Sequence, residues 1–163
     1  QTGLNAEQMS NGETKTHLMN LQMFRISVLG GAGGTLGLIL LMMRSKVSEY
    51  RTIGKLSLIP GICSINEPVI FGLPIVFNPI LAIPFLITPI ISLLLTYFAQ
   101  SVGLIGVGFI VDPSFTPFFA QAYLSSMDWR NIVFCLVLIL ISAMIYYPFF
   151  KVMENNKTKL VDE

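Results

Sequence analysis

SINEPVIFGLPIVFNP, residues 64–79, sets one carboxylate, two asparagines and three prolines inside one of the most apolar parts of the chain. Each proline removes a backbone donor and disfavours helix at the residue before it. Hydrocarbon cannot satisfy the carbonyls that are freed, so broken backbone at membrane depth persists only where it is buried in protein or lines a wet cavity. The stretch therefore reads as a re-entrant hairpin over about residues 56–78. Its parts are a short apolar limb (LSLIPGICSI), a polar tip (Asn66, Glu67, Pro68) and a second limb. Pro79 then begins a true span to Ala99, with kinks at Pro84 and Pro89.

The wider composition makes the membrane the setting. Of 163 residues, 53% are hydrophobic and only 12% charged, about half the charge of an ordinary soluble domain. Ile26 to Met43, Pro68 to Val111 and Asn131 to Phe150 contain no Asp, Glu, Lys, Arg or His, and about 20 apolar residues suffice to cross a bilayer. The expected architecture is all-α and integral to the membrane, with about three transmembrane helices plus the hairpin. Residues 1–23 read as a polar lead-in, hydrophilic loop or frayed segment, residues 24–151 as the membrane domain, and residues 152–163 as a tail.

Topology follows from the cations. Arg44, Lys46, Arg51 and Lys55 face Glu49 alone in the first connector, and Lys151, Lys157 and Lys159 follow the last span. The positive-inside rule puts both in the cytoplasm and the Lys- and Arg-free segment Gln100 to Asp128 outside or embedded. A net charge of +1, from 10 basic and 9 acidic residues, offers no face for nucleic acid. The opening lacks a basic n-region followed by an apolar h-region, so no signal peptide is read there, and the chain is expected to be the C-terminal piece of something longer.

Phe24 to Met43 reads as one helix carrying GGAGGTLG at residues 30–37. Gly30/Gly34 and Gly33/Gly37 then form small-residue pairs that admit another backbone. A nucleotide-binding glycine loop is excluded because Leu36 stands where a glycine is needed and no strand precedes it. Cys63 and Cys135 have no ligand spacing and read as small buried hydrophobes. His17 has no neighbour with which to bind a metal, and neither a metal nor a cofactor is called for.

Glu67 is the candidate functional residue. A carboxylate at the bilayer centre costs at least about 2.5–3.5 kcal/mol on insertion scales and marks a wet cavity, an ion or a substrate path. Pro68 suits the first helical position, which puts Asn66 and Glu67 at a helix entry where the dipole favours negative charge. Carboxylate oxygens, an amide and free N–H groups together suit a polyhydroxylated ligand or, with more carbonyls, a cation. Pairing of Glu67 with a basic residue outside this chain is the structural alternative.

INEPVIFGLPIVFNP, with GGAGGTLG upstream and TPFFAQAYLSSMDWR and YYPFFK downstream, closely resembles the C-terminal part of a sugar-translocating IIC component. The resemblance is to the lactose, cellobiose and diacetylchitobiose branch of the bacterial phosphoenolpyruvate-dependent phosphotransferase system, and it runs from about Phe24 to Lys151. It implies part of a larger polytopic transporter of the bacterial plasma membrane, dimeric when complete, whose C-terminal half carries the substrate on two hairpins. It also implies that Glu67 contacts a β-linked disaccharide, with Asn66 beside it. The sugar would then be phosphorylated by a phosphocysteine on the soluble IIB protein, itself supplied by IIA, and Glu67 would orient or deprotonate the acceptor hydroxyl. The family's other hairpin, its sugar-binding histidine and its dimer-forming helices lie upstream of everything present, and His17 does not match that histidine.

Two departures bear on the sugar. Cys63 and Ser64 stand where the family often has Phe and Asn, and PSFTPF at residues 113–118 replaces a frequent PWTTPP. Thr116 keeps the pattern, and Phe115 is the candidate for the aromatic face lost with the tryptophan. Rival readings are an ion-coupled secondary transporter, an intramembrane enzyme, which lacks a second titratable group between Glu67 and Asp112, and a non-transporting truncated product.

Overall fold

The computed structural model describes residues 2–12, 19, 21–73, 75–110 and 116–161. It is helical throughout, with no strand among the described residues: α1 Thr2–Ser10, α2 Leu21–Ser27, α3 Leu36–Met43, α4 Ser48–Ile62, α5 Glu67–Gly72, a 3-10 turn Ile75–Phe77, α6 Pro79–Ser101, α7 Phe118–Leu124 and α8 Arg130–Val161. Of these, α6 and α8 are long and apolar enough to cross a membrane. Their outer faces are themselves apolar: Leu86, Ile90, Leu94 and Phe98 on α6 and Leu136, Leu140 and Met144 on α8 are all exposed. Lipid, unlike water, imposes no penalty on such faces.

Helix α6 starts where its sequence says it should. Asn78 caps it by accepting a hydrogen bond from the Ile80 N–H at 3.1 Å, and Pro79 supplies a first-turn residue that has no N–H to lose. Pro84 and Pro89 both lie within this one helix. One face carries Thr88, Ser92, Thr96 and Gln100 at helical spacing, all buried, and packs against α2, where the Ser27 hydroxyl meets that of Thr96 at 3.5 Å.

The span expected from Phe24 to Met43 is not one helix. It is broken into α2 and α3 by residues 28–35. Gly31 and Gly33 adopt φ of +90° and +87°, conformations open to glycine and strained for other residues. The unwound carbonyls are satisfied from α8: the Tyr146 hydroxyl donates to Gly33 O at 2.7 Å and the Ser142 hydroxyl to Gly34 O at 2.6 Å. The glycines do bring backbones together, but as a buried loop rather than as GxxxG pairs on a helix. Gly37 alone acts as expected, inside α3 and hard against the α8 backbone at Ala143.

Two further differences are local. The polar lead-in is partly ordered helix, for α1 occupies Thr2–Ser10 and the buried Asn5 donates to Gly108 O at 3.0 Å. At the other end, α8 continues through the expected tail to Val161. There Glu154, 4% exposed, accepts hydrogen bonds from the Ser45 hydroxyl, the Lys46 N–H at 2.7 Å and the Lys151 ammonium at 2.9 Å. These bonds fasten the connector after α3 to the end of α8. The shared core between them holds Leu38, Ile39 and Met42 of α3 with Leu138, Tyr146 and Phe150 of α8, and Val69, Leu73 and Ile75 of the segment after the tip.

Candidate functional site at the hairpin tip

Helices α4 and α5 pack on one another and meet at a turn over residues 63–66. The turn is built from backbone bonds. Ser64 N–H donates to Gly61 O at 3.0 Å and Ile65 N–H to Pro60 O at 2.9 Å, the paired bonds of a Schellman ending. The residue that must be left-handed in such an ending is Ser64, at φ +61°. Chain direction then reverses, and Asn66 opens α5 by accepting from the N–H groups of Val69 and Ile70, each at 3.0 Å.

Asn66 is buried, and its Nδ2 donates to Ala32 O at 2.6 Å. The tip is thereby pinned to the unwound glycine loop. The fit is close enough that a Cβ on Gly31 would come within 2.6 Å of the Asn66 side chain. Glu67 is the first residue of α5 and Pro68 the second, one position later than expected, and the Glu67 side chain is exposed. Among the described residues it makes no hydrogen bond or ion pair. Its backbone is held by the Asn66 anchor and by the helix that follows.

Of the other residues expected at the site, Thr116 is half-buried just ahead of α7, and Phe115 lies outside the described residues. A cavity of about 270 Å³ adjoins the tip, walled by Arg25 and Val28 from α2 and its exit, Gly31 and Ala32, Cys63 and Ser64 of the turn, and Gln121 of α7. Glu67 is not among its walls. Cys63, expected to be buried, is half-exposed on this cavity, whereas Cys135 is fully buried in α8. Sequence reading did not anticipate that Arg25 and Gln121 wall this cavity. Arg25 carried a signal, being a charge directly before an uncharged run, whereas Gln121 carried none.

The comparisons with known proteins decide the lineage. The family model for the phosphotransferase system EIIC matches residues 2–89. The chain belongs to that EIIC family. The EIIC chain is 38% identical over 152 residues to the lichenan permease IIC component of Bacillus subtilis, which covers 91% of this chain and 34% of the relative. It is 40% identical over 130 residues to the cellobiose-specific EIIC component of Lactococcus lactis, covering 78% of this chain and 26% of that one. The crystal structure of the transporter ChbC, the IIC component from the N,N'-diacetylchitobiose-specific phosphotransferase system, superposes with a TM-score of 0.93 at 31% identity. That match takes in 99% of this chain and 38% of ChbC. The EIIC chain thus spans about a third of the length of these relatives, and its membrane character agrees with their naming as permeases and a transporter.

Proposed function

We propose that this EIIC chain is the C-terminal, substrate-carrying part of a sugar permease that binds a β-linked disaccharide of the cellobiose, diacetylchitobiose or lactose type. In this reading the permease presents the sugar for phosphorylation during uptake. The observation that carries the proposal is Glu67: an exposed carboxylate with no partner among the described residues, on a tip that Asn66 fixes in place. An acceptor held ready on a rigid support suits a ligand of many hydroxyls, since a buried hydroxyl left unpaired costs roughly 1–3 kcal/mol. Asn66 and Thr116 border the same ligand, and Phe115 supplies an aromatic face.

In the proposed topology α2, the glycine loop and α3 form one broken crossing, and α6 and α8 form two more. The pair α4 and α5 enters and leaves from the cytoplasmic side as a re-entrant hairpin. The N-terminal half of the permease supplies the rest of the site and the homodimer contact. Once the sugar faces the cytoplasm, a terminal hydroxyl attacks the phosphorus of the phosphocysteine on IIB, which IIA recharges. The S–P bond breaks, the thiolate leaves, and Glu67 orients the hydroxyl or takes its proton.

Uptake by the complete permease in membrane vesicles tests this. The expected product is phosphorylated disaccharide, formed only with phosphoenolpyruvate and the soluble carriers. Unmodified sugar accumulating with sodium or proton dependence would instead establish ion-coupled transport.

A further inference from the structure

We infer that a small cavity where α2, α3, α6 and α8 meet is the binding site of one structural water, held by the hydroxyls of Ser27, Ser92 and Ser142. The inference is independent of what the permease carries. The three serines share the cavity wall with Gly34, Gly37 and apolar side chains such as Leu36 and Leu138, and every lining residue is buried. This chain's own residues therefore close the site. At about 10 Å³ it is close to the least volume, about 10–15 Å³, that admits a water, and it is too small for an organic ligand. No carboxylate lines it, so a metal ion would find no charge to offset its desolvation.

The hydrogen bonds already made around the cavity leave a water its place. Ser27 Oγ donates to Met23 O at 2.7 Å and Ser142 Oγ to Gly34 O at 2.6 Å. The Ser27 hydroxyl also faces that of Thr96 at 3.5 Å, but the Thr96 proton goes to Ser92 O at 2.7 Å. Ser27 and Ser142 have thus used their protons and keep lone pairs with which to accept. Ser92 is the opposite case. It is only 3% exposed, and its hydroxyl makes no hydrogen bond among the described residues, so a buried donor is left to be satisfied. One water completes the set by accepting from Ser92 and donating to Ser27 and Ser142, and three bonds is the usual number for a buried water. It would join α2, α6 and α8 beside Gly34, close to where the glycine loop passes into α3.

A high-resolution density map of the full-length permease, with the melting temperature of Ser92→Ala beside it, tests this. The map of the native permease should show a single isolated peak within hydrogen-bonding distance of all three hydroxyl oxygens. Ser92→Ala takes away one of the water's three partners, so the peak should weaken or vanish and the melting temperature should fall. In a dry cavity the same substitution only deletes a buried hydroxyl that had no partner, and the melting temperature would stay level or rise. Alanine is smaller than serine, so a fall cannot come from a clash. A native cavity without density would overturn the water whatever the stability of the variant, and the map decides alone should Ser92→Ala fail to fold.

Discussion

Asn66 Nδ2 lies 2.6 Å from the carbonyl oxygen of Ala32, so the tip of the α4–α5 hairpin is fastened directly to the glycine loop between α2 and α3. Two irregular segments thereby satisfy polar groups of one another. Position 66 consequently has a structural consequence separable from that of its neighbour Glu67. Asn66→Ala removes the donor and leaves a carbonyl unpaired in a tight site, which should cost about 1–3 kcal/mol. Asn66→Asp should be at least as damaging, because it turns an acceptor toward an acceptor. Melting temperatures of both variants in detergent check this, and a native melting temperature for Asn66→Asp would remove the anchor from the account.

The glycine loop should tolerate no side chain where its backbone is both left-handed and crowded. Gly33 has φ +87°, and a Cβ there would lie 2.2 Å from the Phe85 ring. Gly103 has φ +77° but open space around it. Gly33→Ala should therefore lower the melting temperature clearly more than Gly103→Ala, which bears only the backbone cost of about 1–2 kcal/mol. Equal losses would show that backbone strain alone, not the contact with α6, governs the loop.

Much of this was readable in the letters. Pro79 announced the start of α6, and Asn66 to Pro68 marked the turn between α4 and α5, whereas the first limb, expected from Leu56, begins at Ser48 within the basic connector. The break between α2 and α3 was not readable, because GGAGG permits both a close-packed helix and an unwound loop. The choice between them rests on Tyr146, Ser142 and Asn66, 34 to 113 residues away in sequence. The same is true of the cavity, whose walls come from α2, the loop, the hairpin turn and α7. No local spacing marks Arg25 and Gln121 as neighbours. The helical tail was missed because its polar composition says nothing of Glu154 reaching back to Ser45.

That Glu154 contact gives a contrast between a buried and an exposed carboxylate. Glu154→Ala strips the acceptor from Ser45, Lys46 and Lys151 and should destabilise by about 1.5–3 kcal/mol, the worth of hydrogen bonds to a charged group. Lys157 pairs with Glu49 across the same end of the molecule, but both side chains are partly exposed, 34% and 57%. Lys157→Ala should cost at most about 1 kcal/mol. Thermal denaturation of the two variants side by side measures the difference, and a larger effect at Lys157 would refute this ranking.

Ser64 occupies the left-handed position of the turn without being glycine. Ser64→Gly relieves that conformation and should stabilise the protein by about 0.5–1 kcal/mol, the left-handed penalty less the extra chain entropy of glycine. A fall in melting temperature would mean that the Ser64 side chain contributes more to the fold than its conformation costs.

Topology can be read with single cysteines at exposed positions. Ser48 and Met127 are exposed, whereas Ser125 is fully buried. A membrane-impermeant maleimide should reach Ser48→Cys only from the cytoplasmic face and Met127→Cys only from the outer face. The reverse pattern would invert the hairpin.

The central claim is that Glu67 binds sugar, and one measurement on one variant addresses it: the disaccharide affinity of purified, complete transporter carrying Glu67→Gln. The substitution keeps the shape and one acceptor but loses the charge, which should weaken binding by about 1.5–3 kcal/mol. That is a rise of roughly ten- to 150-fold in dissociation constant, with an unchanged melting temperature, since the Glu67 side chain is exposed and makes no hydrogen bond or ion pair among the described residues. Unaltered affinity in a well-folded Glu67→Gln protein would contradict the account.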